Sequence, residues 1–191
     1  MFDSSLIYAL VAIVLHVANY NATAQFEYKT RTFTKLLGKH TIYYNVVYLI
    51  SSALVRDHFV NEAMQSDVDS LILFPQEFAE MIGNALFVFG ILLNLWTLHA
   101  LGLKGMYNGD SFGWIMDAPV TGGPYQFFND PQYVGTIFVC LGPAIIYQTL
   151  SGYICTLAIG ITFYISVKYV EGPHLTRIYS NKAYSKINFK K

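Results

Sequence analysis

The chain has 191 residues, of which 54% are hydrophobic and 13% charged, with a mean hydropathy of +0.39. Soluble domains carry about 25% charged residues, so composition places this chain in a membrane rather than in water. Twelve basic and twelve acidic residues cancel to a net charge of zero, which excludes a global field that would draw in nucleic acid. The length suits a single domain, on the usual scale of about 100–200 residues. The two cysteines, Cys140 and Cys155, both lie in apolar sequence and read as buried, reduced thiols.

From Ser4 to Phe26 there is no Asp, Glu, Lys or Arg, a length that crosses a bilayer core of about 30 Å at 1.5 Å per residue. Asp3 stands where a signal peptide would carry basic residues, and no small-x-small cleavage site follows. The stretch therefore reads as a retained span centred on Leu6–Val17. His16 within it reads as a polar residue facing another helix. Glu27–His40 is a basic first loop whose Phe26, Phe33, Leu36 and Leu37 give it an apolar side suited to the membrane surface. Thr41–Val55, with Tyr43, Tyr44 and Tyr48, reads as a short second span, and Arg56–Glu80 as a solvated acidic loop without metal-ligand spacing. Met81–Leu103 is a clean third span. Gly105–Asp130 is a loop dense in Gly, Pro and Asp, of the kind that carries function at membrane depth.

Pro131–Val167 then runs without a charge for a length that, as one helix, would reach about 55 Å, far beyond one bilayer. Gly142-Pro143 and Ser151-Gly152 offer breaks, so a hairpin of two shorter helices is expected. Charge asymmetry supports that choice. With a hairpin, Lys29, Arg31, Lys35, Lys39, Lys104, Lys168, Arg177, Lys182, Lys186, Lys190 and Lys191 share one face, and of the twelve basic residues only Arg56 lies opposite. That is the pattern of a cytoplasmic face. The fold expected is an all-α integral membrane protein of about five transmembrane or re-entrant helices, the last two forming a helical hairpin. It forms one membrane domain, 1–191, with scaffold spans over 4–103, a cofactor-site loop and hairpin module over 101–179, and a basic tail over 180–191.

A hairpin returns to the side from which it started. Asp130 and Tyr133 at its entrance therefore approach Glu171 and His174 at its exit, and the glycine-rich loop Gly102–Gly113 emerges on the same face. Carboxylates beside backbone-exposing glycines and a tyrosine, over an apolar cavity, suit a polar cation with an aromatic group. Interfacial caps and turns are the other reading of the same residues.

At these residues the sequence resembles the phospholipid N-methyltransferase family, over nearly the whole chain. Asn19-Tyr20-Asn21 with Glu27-Tyr28-Lys29 is similar to the family's first-loop pattern. Leu101-Gly102 through Gly109-Asp110-Ser111-Phe112-Gly113 resembles its Leu-Gly…Gly-Asp-Tyr-Phe-Gly segment. Val120-Thr121-Gly122 and Asp130-Pro131-Gln132-Tyr133-Val134-Gly135 resemble its Val-Thr-Gly…Asn-Pro-Met-Tyr-x-Gly segment. Glu171-Gly172-Pro173 with Ile178-Tyr179 resembles its Glu-Glu-Pro-Phe…Ile-Tyr ending.

The resemblance implies methyl transfer from S-adenosylmethionine to the headgroup amine of phosphatidylethanolamine or its methylated derivatives, toward phosphatidylcholine. The phospholipid substrate and the membrane are the partners it implies. It makes Gly90, Gly102, Gly105, Asp110 and Glu171 the candidate cofactor-binding residues, with Glu171 offering negative charge to the cationic cofactor. Tyr133 would shape the cleft, and Asp130 would orient the amine or take its proton; no metal is expected. The chain departs from the pattern at Val88 and Gly172, where the family carries Gly and Glu, and at Ser111 and Asp130, where it carries Tyr and Asn. These departures keep a second reading open, a structural, lipid-holding subunit of a larger membrane complex. The resemblance points to the endoplasmic reticulum, with a mitochondrial membrane as the alternative.

Overall fold

The computed structural model describes residues 4–188 and, for side chains, 4–181. Asp3 and the basic tail's Lys182, Lys186, Lys190 and Lys191 thus lie outside the described side chains. Among the described residues every regular element is helical. Helix α1 is Ser4–Thr30, α2 Thr32–Leu37, α3 Thr41–Ser66, α4 Gln76–Met106, α5 Pro131–Ile146, α6 Leu150–Ile165 and α7 Gly172–Asn188. A π-helical turn, Ser166–Glu171, joins α6 to α7 without a break. Three helical stretches, Ser4–Thr30, Gln76–Phe112 and Leu150–Asn181, are long and apolar enough to cross a membrane, and α5 is a shorter apolar helix.

The first span outruns its charge-free stretch because Glu27 is turned inward. Its fully buried carboxylate accepts the backbone N–H of Phe33 at 2.8 Å and of Thr34 at 3.1 Å, and the Thr34 hydroxyl. These are the unpaired donors at the start of α2, where a negative charge is also favoured. The expected surface segment follows: α2 buries no residue and leaves Leu36 and Leu37 exposed. His16 meets Ser52 of α3 at 2.9 Å, as a polar residue facing a neighbouring helix.

The helix expected as a short second span is longer than expected, and it is not among the three stretches long and apolar enough to cross a membrane. Rather than ending at Val55, α3 runs for 26 residues from Thr41 to Ser66, and Arg56 is a buried residue of that helix rather than the start of a solvated loop. Its guanidinium is held by Asp57 at 2.7 Å, which lets a charge sit against the bundle without ending the helix. The connection is only 67–75, and it is tied down. Asp67 accepts the Ser151 N–H and hydroxyl, both at 2.9 Å, and so caps α6. The buried Gln148 side chain binds the N–H groups of Leu73 and Phe74 at 2.8 and 3.0 Å.

The hairpin is present, with its reversal at 147–149, between the two expected breaks. Pro143 is carried inside α5, and Ser151-Gly152 forms the first turn of α6, where Thr149 Oγ1 accepts the Gly152 N–H at 3.0 Å. Cys140 and Cys155 are buried free thiols.

Helices α4 and α5 run antiparallel at backbone contact. A Cβ at Gly83 would lie 2.6 Å from the Gly142 carbonyl oxygen, and one at Gly142 would lie 2.6 Å from that of Gly83. Gly90 and Gly135 repeat the arrangement, at 2.6 and 2.9 Å. Small residues at these crossings let dispersion contacts form along whole helices where no hydrophobic drive separates protein from lipid. The pairing sets the height of Asp130 and Tyr133 relative to the loop that leaves α4.

Two stability outcomes follow. Glu27→Ala strands the donors of α2 and should destabilise the protein by about 2 kcal/mol, read as a lower thermal midpoint in detergent. Gly142→Leu should cost about 3 kcal/mol or more by forcing α4 and α5 apart, whereas Leu at the lipid-exposed Val88 should leave the midpoint within about 0.5 kcal/mol.

Candidate active site

The open end of the hairpin gathers a cluster of hydroxyls around one carboxylate. Glu171 Oε2 accepts from the Tyr133 hydroxyl of α5 and, at 3.2 Å, from the Tyr20 hydroxyl of α1. Tyr20 also meets the Tyr133 hydroxyl at 3.0 Å and the Ser166 hydroxyl at 2.9 Å. Asn21 donates to Ser166 at 2.8 Å and to the Val17 carbonyl at 2.9 Å. The Tyr133 ring stacks on Phe163 of α6, with centroids 4.3 Å apart. Three helices are thereby fastened to each other by polar groups inside an apolar bundle.

The π turn makes this possible. Residues five apart lie about 140° round an α-helix, on different faces. A turn bonded from i to i+5 brings Ser166 and Glu171 onto one side, and both reach Tyr20. Gly172 closes the turn by donating its N–H to the Val167 carbonyl, and a Cβ there would stand 2.5 Å from that oxygen. Glycine where the family carries a second Glu thus accompanies the geometry that aims Glu171 inward.

Above the cluster the loop after α4 is clamped in place. Gly102, at φ 66° and ψ 169°, breaks α4 in a conformation that only glycine adopts readily. Asp110 is buried and accepts from the Tyr179 hydroxyl at 2.7 Å, while Arg31 donates to the Ser111 carbonyl at 3.1 Å. Ser111 Oγ and His174 Nε2 share a buried hydrogen bond of 2.9 Å. Ser111, where the resemblance expects Tyr, is thus bonded to His174 at the hairpin's exit. Phe112 is buried beneath the loop, and Trp114 lies outside with the Lys104 ammonium 3.1 Å from its ring centroid. A cavity of about 240 Å³ opens between this loop and the first loop, lined in part by Thr34, Ile42, Phe112 and Trp114.

Of the residues the sequence singled out, Tyr133 and Glu171 are in direct contact, while His174 is turned to Ser111. Asp130 sits exposed at the start of α5, yet crowding by protein raises its carboxyl pKa above the ordinary value. Tyr125 borders both acids; burial first, then the charges of Asp130 and Glu171, pushes its pKa up to about 12. Gly90 is packed on Gly135 and Val139 of α5, and Gly105 on Met116 and Leu101. Val88, where the resemblance expects Gly, is 52% exposed on the outer face of α4. Tyr20 and Ser166 carried no spacing signal; only the Asn19-Tyr20-Asn21 motif pointed near the first of them.

Residues 78–182 match the model of the phospholipid methyltransferase family. The chain is 68% identical to phosphatidylethanolamine N-methyltransferase B of Dictyostelium discoideum, an alignment covering 98% of this chain and 94% of the relative. It is 30% identical to the phosphatidylethanolamine N-methyltransferase of Homo sapiens, over 95% and 91% of the two chains. It is 29% identical to the phosphatidyl-N-methylethanolamine N-methyltransferase of Emericella nidulans, over 92% and 85%. No solved structure matches the chain at a significant level. The motifs of the loop, the hairpin entrance and its exit, joined in one site, agree with these matches: the chain belongs to the phospholipid methyltransferase family.

Proposed function

We propose that this enzyme methylates the headgroup amine of phosphatidylethanolamine, or of its mono- and dimethyl derivatives, toward phosphatidylcholine, with S-adenosylmethionine as donor. The observation that carries the reading is Glu171. Its carboxylate is surrounded by the hydroxyls of Tyr20, Tyr133 and Ser166, and no Lys, Arg or His among the described residues lies within ion-pair distance of it. A carboxylate held by neutral donors at a membrane interface suits a cationic guest. When bound, S-adenosylmethionine supplies the methyl group as an activated electrophile.

The chain's own residues do the rest. Glu171 offers charge to the cofactor's cationic part, and Tyr133 and Tyr20 hold that carboxylate in one orientation. Gly102 and Gly105 shape the loop above, Gly90 sets the α4–α5 approach, and Asp110 fixes the loop to α7 through Tyr179. A lipid ammonium must lose its proton before its nitrogen can attack. Asp130, at the exposed mouth with a raised pKa, is placed to take it directly or through water. Positioning then supplies much of the catalysis, since the attack must be in line with the departing sulfur. The departures at Val88, Ser111 and Gly172 each have a local account in the fold, so none argues for a purely structural subunit. The basic face of the sequence is the cytoplasmic one in this reading, and the endoplasmic reticulum is its membrane.

Glu171→Gln keeps the shape and removes the charge. It should weaken binding of radiolabelled S-adenosylmethionine by about tenfold, and an unchanged Kd would remove Glu171 from the site. The carboxylate is the working form of Asp130, so kcat/KM should rise as pH rises through its raised pKa. Asp130→Asn should slow transfer and abolish that acid limb; a limb that survives would assign the base elsewhere. Methyl transfer by the full chain in vesicles, assayed with phosphatidylethanolamine and its monomethyl form, tests the reading as a whole.

A further inference from the structure

Between α5 and α6 a groove of about 430 Å³ faces the lipid, lined chiefly by Ile137 and Leu141 of α5 and by Tyr153, Leu157, Gly160 and Tyr164 of α6. It is largely apolar, and it exists because position 160 has no side chain. A Cβ there would meet a single atom, Ile137 Cδ1, at 3.6 Å. From Tyr153 to Tyr164 the groove follows α6 for about 16 Å at 1.5 Å per residue, close to half of a bilayer core of about 30 Å.

The helices that line the groove also carry the site. Tyr133, Ile137 and Leu141 recur at four-residue intervals and so share one face of α5, with Tyr133 bonded to Glu171. On α6 the order toward the site is Gly160, Tyr164, Lys168, Glu171. Lys168 is exposed and donates to the Tyr164 hydroxyl at 2.9 Å, which holds its ammonium at the upper end of the groove. No carboxylate among the described residues lies within ion-pair distance of it. Along this helix the chemistry therefore runs apolar groove, cation, carboxylate. A phosphatidylethanolamine molecule runs acyl chain, phosphate, amine.

We propose that the α5–α6 groove is the acyl-chain subsite of the phospholipid substrate and that Lys168 binds its phosphate, which brings the amine to the level at which Glu171 holds the cofactor's cationic part. This rests on the methyltransferase reading above and deepens it. A lipid held in this way stands upright in one leaflet, with its chain along α6. Lys168 acts as a phosphate contact and takes no part in proton transfer.

The test compares dioleoyl- with dihexanoyl-phosphatidylethanolamine as acceptors for the full chain in mixed micelles. Wild-type protein that methylates neither would sink the methyltransferase reading itself. With wild type active, Gly160→Phe should lower the ratio of kcat/KM for the long-chain over the short-chain acceptor by about tenfold. Gly160→Leu, a smaller filling, should lower it in the same direction if the larger residue impairs folding. Lys168→Ala should raise KM for both acceptors by about tenfold without changing the Kd of S-adenosylmethionine, and Lys168→Arg should restore it. An unchanged acceptor ratio in a folded Gly160 variant would mean that the groove holds bulk lipid only or a neighbouring helix. Equal activity of Lys168→Ala and wild type at all acceptor concentrations would dismiss the phosphate contact.

Discussion

A carboxylate inside an apolar bundle is the constraint on which this structure turns. Removing a charge from water is costly, and the cost falls only when hydrogen bonds replace the lost hydration. Glu171 meets that demand with hydroxyls drawn from α1, α5 and its own π turn. Each of those groups is itself oriented by another: Tyr133 by stacking on Phe163, Ser166 by Asn21, Tyr20 by both Ser166 and Tyr133. The cluster therefore fastens three helices at one level of the membrane. It does so with neutral donors, which leaves the negative charge without an ion-pair partner and available to a guest.

The π turn and Gly172 belong to the same solution. An uninterrupted α-helix would turn either Ser166 or Glu171 away from Tyr20. One extra residue in the turn restores both, and a Cβ at Gly172, the first residue of α7, would stand 2.5 Å from the Val167 carbonyl oxygen. Gly172 thus looks like a loss when the motif is read as a string of charges, and like a packing requirement when it is read in three dimensions. Ser111 and His174 repeat the lesson. Ser111 taken singly replaces an aromatic residue of the family pattern; with His174 it forms a buried polar contact that holds the loop against α7.

The hairpin was legible because length and charge decide it: a charge-free run too long for one crossing, and basic residues that share a face only if the chain turns back. The approach of Tyr133 to Glu171 follows from that topology. The π turn was not legible, since nothing in Ser166–Glu171 differs in composition from an ordinary helix end. Tyr20 and Ser166 escaped for a related reason; hydroxyl-bearing residues are common in apolar helices, and only their convergence is informative. The second span was cut short at Val55 because Arg56 and Asp57 resemble a loop boundary. Their mutual pairing, with the guanidinium buried, is what lets α3 continue. Pro143 misled in the same way: a proline inside a membrane helix is tolerated when neighbouring helices satisfy what it disrupts.

The two ends of the bundle are built differently, and the difference bears on catalysis. At the hairpin's closed end, the Asp69 and Leu71 N–H groups donate to the Tyr147 and Gln148 carbonyls at 3.0 and 2.9 Å, and the Gln148 and Asp67 side chains add further ties between the 67–75 connection and the reversal. At the open end the contacts described above run through side chains: the hydroxyls around Glu171, the Ser111–His174 pair, and Tyr179 on Asp110. Backbone ties cannot be altered without unfolding a helix end, whereas hydroxyls exchange partners by rotating about a single bond. The side-chain-held end is the one that carries Asp130, Tyr133 and Glu171, the candidate site residues.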